Sequence, residues 1–222
     1  MINKSKKILF IHIPKTGGTS VEKYIDPNSP IQDHRPLSLI LKEESLINRL
    51  KYSSFKRQLK RLAYKLHPKF PHSHYLTLSK EDLKNYICFT IVRDPWTRTL
   101  SGYKNVMRDQ KHKNSLGITT KINFEQFLRR YNDTFFLKSQ LYWLYNQHQE
   151  IPEEIKIINF DDFYTEVPKL LKPILGDKDF PHYQRSETKK KLEDLNNTNI
   201  NLISEYFKEE IDYFNFSPPI SN

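Results

Sequence analysis

Residues 10–20 read FIHIPKTGGTS, and this stretch decides how the chain folds. The apolar run at residues 8–13 predicts a buried strand, Pro14 ends it, and a helix is predicted over about residues 19–24. A glycine loop between a strand and a helix exposes unpaired backbone N–H groups at the positive end of the helix dipole. The pattern therefore predicts a seat for a phosphate-like anion, to which Lys15 adds a positive charge.

The loop resembles the Walker A motif of nucleotide-binding proteins, but its residues come in a different order. Walker A places its lysine after the glycines, whereas Lys15 precedes Gly17 and Gly18. The lysine therefore enters from the strand side of the loop. Taken alone, the segment is also compatible with a tight strand-to-helix turn that carries a solvated lysine.

A second stretch repeats the strand-to-helix pattern, and it reads YICFTIVRDPWTRTLSGY at residues 86–103. Its apolar, β-branched part predicts a strand, after which Asp94 is placed to cap a helix that begins at Pro95. Arg93 then lies at the carboxyl end of a strand, where open α/β sheets bind ligands. Ser101, about two helical turns further on, could project toward the same crevice. The planar fork of an arginine suits phosphate oxygens.

Together the two motifs resemble the sulfotransferases that use 3′-phosphoadenosine 5′-phosphosulfate (PAPS). The closer likeness is to the carbohydrate O-sulfotransferase branch, with the uronyl sulfotransferases and many bacterial relatives. In that family a Pro-Lys-Thr-Gly-Gly-Thr-Ser loop holds the 5′-phosphosulfate, and an Arg-Asp-Pro-x-x-Arg-x-x-Ser stretch holds the 3′-phosphate. This chain carries both, at residues 14–20 and 93–101. Weaker likeness runs through residues 140–144, 157–163 and 206–216.

The resemblance implies a role for each matched residue. Lys15 would contact the 5′-phosphate and the oxygen that bridges it to sulfur, so it is expected to be catalytic as well as donor-binding. Arg93 and Ser101 would hold the 3′-phosphate, which distinguishes PAPS and its product PAP from ordinary nucleotides. Arg185, in a loosely matching segment, would contact the nucleotide. The other expected contacts of the 5′-phosphate are Thr16, Gly17, Gly18, Thr19 and Ser20.

His34 is the candidate catalytic base among the eight histidines. It lies in the loop IQDHRP at residues 31–36, and the resemblance also places a histidine base in this region. Asp33 or Arg35 could orient it, and the alternative is an ordinary surface histidine. His12 lies on the predicted strand and is expected to be a hydrogen-bonded structural residue.

Two residues of the second motif keep open roles. Arg98 is either a ligand contact or a surface residue, and Trp96 lies either in the core or near the donor. The pair His72 and His74 lacks further ligands at a suitable spacing, so no structural zinc site is expected. The sulfotransferase interpretation requires no metal.

Two other functions remain open from the sequence. Asp161 and Asp162, after a predicted strand, could imitate the acidic Mg²⁺ ligands of a small-molecule kinase with a degenerate P-loop. The position of Lys15 and the second motif both disfavour a kinase. The other alternative is a non-catalytic, basic module that binds a nucleotide or nucleic acid.

The composition indicates a single domain over residues 1–222, long enough for one substantial core. The one cysteine, Cys88, lies in the second predicted strand and is expected to be a buried apolar side chain. No run of about 18 apolar residues predicts a membrane span, and the apolar run at residues 8–13 is too short for a secretory signal. We therefore expect a cytoplasmic enzyme that takes its donor from the cytosol.

Positive charge dominates the chain, with a net charge of +10, and would help to attract an anionic nucleotide. Residues 51–69 contain seven Lys or Arg residues and no acid, with apolar residues at helical spacing. This basic helix is either packed with a solvated charged face, or a platform for an acidic acceptor or an anionic lipid surface. The resemblance favours a carbohydrate or glycolipid hydroxyl as acceptor, so peripheral contact with the inner membrane surface stays open. Nucleic acid is not an expected partner.

The remaining segments predict alternating helices and strands, and hence an α/β domain with a central parallel sheet flanked by helices on both faces. We expect a P-loop-like, nucleotide-binding sulfotransferase fold. Pro168 and Pro173 are expected to interrupt a weakly predicted helix at residues 163–175. Further predicted elements are helices at residues 36–66, 123–131, 138–145 and 200–214, a short helix after residue 79, and a strand at residues 155–160.

Overall fold

A four-stranded sheet organises the part of the chain that the computed structural model describes, which is residues 1–29, 32–42, 76–132, 134–181 and 195–219. Its strands lie in chain order and are β1 (Ile2–Asn3), β2 (Ile8–Ile11), β3 (Ile87–Val92) and β4 (Ile155–Asn159). Strands β2, β3 and β4 are parallel, whereas the short edge strand β1 runs antiparallel to β2. The predicted α/β fold is confirmed, with one antiparallel edge strand that the sequence patterns did not predict.

The described helices follow the strands in the alternation that the sequence predicts. They are α1 (Gly18–Ile25), α2 (Leu37–Ile40), α3 (Pro95–Arg108), α4 (Gln110–Ser115), α5 (Phe124–Tyr131), α6 (Gln140–Leu144), α7 (Phe163–Leu175), α8 (Asn197–Tyr206) and α9 (Lys208–Phe214). Two 3₁₀ turns lie at Glu81–Asn85 and Phe135–Leu137. None of these helices is both long and apolar enough to cross a bilayer.

Apolar side chains on both faces of the sheet hold helices against it. Ile8 and Phe10 of β2 pack into one cluster with residues of α1 and α7. Leu9 and Ile11 point the other way, into a cluster with residues of α2 and α6. The continuous apolar strands are therefore covered on both sides, as parallel strands require. A third cluster joins α3, α5 and α8.

Helix α7 corrects one prediction. It runs unbroken through Pro168 and Pro173, although a proline inside a helix removes a hydrogen bond. Its buried residues recur every four positions, at Phe163, Val167, Leu171 and Leu175. This apolar stripe packs on the sheet, and its burial outweighs the two lost backbone hydrogen bonds.

The predicted helix at residues 200–214 is also wrong in one respect, because α8 and α9 are separate. The break falls at Phe207, which leaves helical geometry with φ −116° and ψ 23°. It lets α9 turn Glu210 inward, where its carboxylate is fully buried.

Several predictions fall outside the described residues. They include the basic stretch at residues 51–69, Arg185, and His72 with His74. Of the helices predicted at residues 36–66, the described part contains only Leu37–Ile40. The buried position of Cys88 is confirmed, and burial raises the pKa of its thiol to about 12.

Candidate active site

The two sequence motifs lie side by side at one edge of the sheet. The glycine loop follows β2 and Arg93 follows β3, and these strands are parallel neighbours, paired at Ile11 and Thr90. Their carboxyl ends therefore open onto the same crevice, which is where sheets of this type bind ligands.

The glycine loop is built tightly against its surroundings. Lys15 and Gly17 both have left-handed backbone conformations, with φ of 70° and 80°. A Cβ atom on Gly18 would lie 2.1 Å from Cδ2 of His12, so only glycine fits there. Helix α1 begins at Gly18, and its N-cap residue, Gly17, has no side chain to cap the helix. The Ser20 N–H donates to the Gly17 carbonyl over 3.1 Å. The positive end of the helix suits an anion.

The hydroxyl residues of the loop divide into structural and accessible ones. Thr16 is buried and donates its hydroxyl proton to the carbonyl of Ile13 over 2.9 Å. Ser20 is also buried, at 2% exposure. Thr19 is half-buried, and its hydroxyl oxygen lies 2.5 Å from the side-chain amide of Gln32. Thr16 thus stabilises the loop with its hydroxyl, and its expected contact to phosphate falls to the backbone N–H.

Three cations converge beside this loop. Burial, together with the positive charges of Arg108 and Arg93, lowers the pKa of Lys15 to about 8. No carboxylate of the described residues forms an ion pair with Lys15. The excess positive charge around Lys15 is what an anionic ligand would neutralise.

Arg93 connects the two motifs directly. Its Nη1 donates to the Lys15 carbonyl over 3.3 Å, and its Nε donates to the Thr97 hydroxyl over 3.0 Å. The guanidinium lies 4.1 Å above the ring of Phe160. Asp94 caps α3 by accepting from the Thr97 N–H, as predicted, and it also accepts from the Thr97 hydroxyl. The guanidinium therefore has a fixed direction.

The backbone of Arg93 is held by a side chain far away in sequence. Gln140 accepts from the Arg93 N–H over 2.9 Å and donates to the Arg93 carbonyl over 2.7 Å. Glu210 in turn accepts from the Gln140 backbone N–H over 2.5 Å and from its side-chain amide over 3.1 Å. Gln140 and Glu210 are both fully buried.

Arg98 is completely buried, so it is not a surface residue. It donates to Glu210 over 3.4 Å and to the Lys138 carbonyl over 3.1 Å, and its guanidinium lies 5.4 Å from the Phe207 ring. Within the described part of the chain, its Nε and Nη1 have no hydrogen-bond partner. Arg98 thus neutralises Glu210 inside the protein.

Trp96 lies in the core, which is one of the two positions that the sequence left open. It is 1% exposed, and its indole N–H lies within hydrogen-bond distance of the Ile200 carbonyl and the Ser204 hydroxyl of α8. The residue joins α3 to α8.

Two histidines with adjacent, mutually tilted rings flank the glycine loop. His12 is buried, and its Nδ1 lies 3.0 Å from a carboxylate oxygen of Glu22, which agrees with a structural role. The ring of His34 lies 4.0 Å from that of His12, and His34 Nδ1 lies 3.0 Å from the His12 carbonyl. Burial and the neighbouring His12 lower the pKa of His34 to about 3. His34 is therefore neutral at physiological pH.

The proton of His34 can be placed from its partners. A carbonyl only accepts, so Nδ1 carries the proton and Nε2 keeps a lone pair. Gln32 Oε1 lies 3.0 Å from Nε2, but two acceptors repel each other. With the proton of His34 on Nδ1, Gln32 turns its amide nitrogen toward Nε2, and its oxygen accepts from the Thr19 hydroxyl. The lone pair of His34 thus lies beside the exposed side chain of Gln32, which also contacts Thr19 of the glycine loop.

The comparison with known families agrees with this geometry. A family model described as the sulfotransferase family matches residues 1–217. The chain belongs to the sulfotransferase family. A crystal structure of a sulfotransferase from Alicyclobacillus acidocaldarius is similar at 13% identity, over 95% of this chain and 98% of that chain, with a TM-score of 0.43. No curated protein matches the chain.

The sulfotransferase brings most of its predicted site residues together. Arg93 contacts the glycine loop at the Lys15 carbonyl, and His34 reaches Thr19 through Gln32. Ser101 is half-buried on α3. Asp161 and Asp162, the candidate ligands of a kinase magnesium, lie exposed in the turn between β4 and α7. Among the described residues, no cluster of three or more His, Cys, Asp or Glu side chains could hold a metal ion.

The sequence patterns did not identify three residues of the site. Arg108 follows Ser101 by seven positions on α3, and this two-turn spacing would have placed both on one helix face. Gln140 lies in a segment with only a weak family likeness, and Glu210 reads as an ordinary charged residue of an amphipathic helix. Gln140 and Glu210 have no local sequence pattern that predicts their roles, because their partners are distant in sequence.

Proposed function

We propose that this sulfotransferase transfers the sulfuryl group of PAPS to a hydroxyl group of a carbohydrate or glycolipid, and that it acts in the cytoplasm or at the inner membrane surface. The observation that carries the proposal is the hydrogen bond from Arg93 to the Lys15 carbonyl. It brings the two segments that we assign to the two phosphates into direct contact, which supports binding of both by one molecule. The glycine loop takes the 5′-phosphosulfate, and Arg93 with Ser101 takes the 3′-phosphate.

Lys15 is the group that stabilises the departing phosphate. When the bond between sulfur and the bridging oxygen breaks, negative charge grows on that oxygen. An ammonium held there interacts more strongly with the transition state than with the ground state, and this difference accelerates transfer. Anion binding also raises the pKa of Lys15 from about 8, because the ligand offsets the repulsion by Arg93 and Arg108.

His34 receives the proton of the acceptor hydroxyl. Within the described part of the chain, the hydrogen-bond partner of its Nε2 is the side chain of Gln32, which is exposed. A hydroxyl that displaces this amide can donate to Nε2, which would take its proton as the hydroxyl oxygen bonds to sulfur and the phosphate leaves. Neighbouring anionic oxygens of the bound donor favour protonation of His34.

An aromatic surface beside His34 suits a sugar as the acceptor. The ring of Phe135, 47% exposed, lies 6.2 Å from the ring of His34 and 4.9 Å from that of Trp143. Lys138 and Tyr142 border the same region, with the ammonium of Lys138 4.3 Å from the Tyr142 ring. Such a surface offers an apolar face for a sugar ring and a cation for an acidic substituent.

Donor identity is tested by ligand stabilisation and by transfer. PAPS and PAP should raise the melting temperature without Mg²⁺, by an amount equivalent to about 2.7 kcal/mol at a hundredfold excess over Kd. ATP with Mg²⁺ should stabilise less. Labelled sulfate should then pass from PAPS to members of a panel of bacterial glycans and lipid extracts. Stronger stabilisation by Mg-ATP than by PAPS would favour the kinase and overturn the proposal, and PAPS binding without any transfer would favour the non-catalytic module.

The pH dependence of kcat/KM should carry the signature of both catalytic residues. In the free enzyme His34, with a pKa of about 3, stays neutral from pH 5 to 7, so activity should not fall over this range. Lys15, with a pKa of about 8, loses its charge above that value, so kcat/KM should decline from pH 8 upward. A decline between pH 7 and 5 would contradict the neutral state of His34.

His34→Ala should lower kcat by about 10²–10⁴, the range typical of a lost general base. The Kd of PAP should stay within a few-fold of wild type, because the hydrogen-bonded link from His34 to Thr19 runs through Gln32. His148→Ala, on the exposed turn before β4, is the matched control and should leave both quantities unchanged. Unchanged transfer by His34→Ala would remove His34 from the mechanism.

A further inference from the structure

The side chain of Gln140 takes the place of a neighbouring strand for one residue. The last pair between β3 and β4 joins Val92 to Asn159, so Arg93 lies just beyond the ladder. Gln140 accepts from its N–H over 2.9 Å and donates to its carbonyl over 2.7 Å. Two hydrogen bonds to one residue restrain its backbone dihedral angles, as a strand partner would.

The amide of Gln140 can adopt one orientation only. Its nitrogen donates to two oxygens, the Arg93 carbonyl at 2.7 Å and Glu210 Oε1 at 3.1 Å. A reversed amide would direct its own oxygen at these two acceptors and would leave the Arg93 N–H facing a donor. Glu210 Oε2 also fixes the Gln140 backbone N–H over 2.5 Å. The group is fully buried, where unpaired polar atoms are costly.

We infer that Gln140 is a positioning residue for recognition of the donor's 3′-phosphate, and that it acts by fixing the backbone of Arg93. Gln140 can act in this way only if Arg93 binds that phosphate, so its role rests on the proposed function. The restraint matters because Arg93 is held near Lys15, another cation. Repulsion would turn a loosely held guanidinium away from Lys15 before the anion arrives, and reorienting it would weaken binding.

The test compares two ligands that differ only in the 3′-phosphate, namely PAP and adenosine 5′-monophosphate (AMP). Titration calorimetry on the full chain gives the ratio of the Kd of AMP to the Kd of PAP. In Gln140→Met, which fills a similar volume without polar atoms, this ratio should fall about tenfold, through weaker PAP binding with little change for AMP. Arg93→Met should remove most of the preference and leave only the contribution of Ser101.

A structural defect alone would not change this ratio, because instability weakens the binding of both ligands alike. Leu144→Ala is the matched control, since Leu144 is buried in the same helix but has an apolar side chain that forms no hydrogen bond with Arg93. It should lower the melting temperature and keep the wild-type ratio. Gln140→Asn, whose amide is one methylene short of both Arg93 groups, gives the same readout if Gln140→Met does not fold.

The outcomes distinguish failure of the role of Gln140 from failure of the assignment of the 3′-phosphate to Arg93. If wild type prefers PAP but the ratio survives in Gln140→Met or Gln140→Asn, Gln140 does not position Arg93 and only the inference fails. If wild type binds AMP as tightly as PAP, or Arg93→Met keeps the preference, the assignment of the 3′-phosphate to Arg93 fails and the role of Gln140 fails with it.

Discussion

Lys15→Met should produce a protein that is more stable than wild type and nearly inactive. Transfer should fall by about 10²–10³, the usual effect of removing one group that stabilises developing negative charge. Stability should rise because the native structure holds the Lys15 ammonium half-buried beside two arginines. A pKa of about 8 in place of 10.5 sets an upper limit of about 3 kcal/mol on this destabilisation, and screening reduces it to about 1–2 kcal/mol.

The sign of the stability effect can be checked against pH. Below pH 8 the lysine is charged in both the folded and unfolded chains, and its native destabilisation is complete. Between pH 8 and about 10.5 the folded chain releases the proton first, so wild type gains stability as pH rises. The difference in melting temperature between Lys15→Met and wild type should therefore shrink from pH 7 to pH 10.

An exposed lysine provides the control for this experiment. Lys169 on α7 is 80% exposed, and Lys169→Met should change neither stability nor transfer appreciably. If Lys15→Met is less stable than wild type at pH 7, the ammonium is not strained in the free protein. The convergence of cations would then lose its support as evidence for an anion site.

The sequence made the anion-binding motifs predictable because each is a local pattern. The strand before Arg93, the Asp94 cap and the helix that starts at Pro95 follow from neighbouring residues, and the structure has all three. The adjacency of the two motifs also follows, since parallel strands align their carboxyl ends. Local sequence patterns therefore predict the two strand-to-helix segments of the site and their adjacency.

Long-range packing explains what the sequence did not predict. Pro168 and Pro173 lie in an unbroken helix because the sheet holds its apolar face, and helix propensity cannot anticipate this. The contacts of Gln140 with Arg93 span 47 positions, and those with Glu210 span 70. No sequence spacing predicts contacts over such separations, so the hydrogen bonds that hold Arg93 can be identified only from the three-dimensional structure.

Glu210→Leu should destabilise the protein by about 3–5 kcal/mol, the typical effect of breaking a buried ion pair on one side. Arg98 would then keep its charge at zero exposure without a counter-ion, and burial already lowers its pKa. Urea denaturation should show a lower midpoint with an unchanged slope. Glu125→Leu is the control, because its ion pair with Arg129 is exposed and should contribute about 0–1 kcal/mol.

Adding Arg98→Met to Glu210→Leu should restore much of the lost stability, because the uncompensated charge leaves with the arginine. Recognition of the donor should not recover in the same way. The double variant still lacks the carboxylate that fixes the Gln140 amide, so its preference for PAP over AMP should remain as weak as in Glu210→Leu alone. Recovery of stability without recovery of this preference would show that Glu210 has two separable roles, neutralising Arg98 and orienting Gln140. If both recover together, the buried ion pair only stabilises the fold, and the direction of Arg93 is set by Thr97, Phe160 and the Lys15 carbonyl.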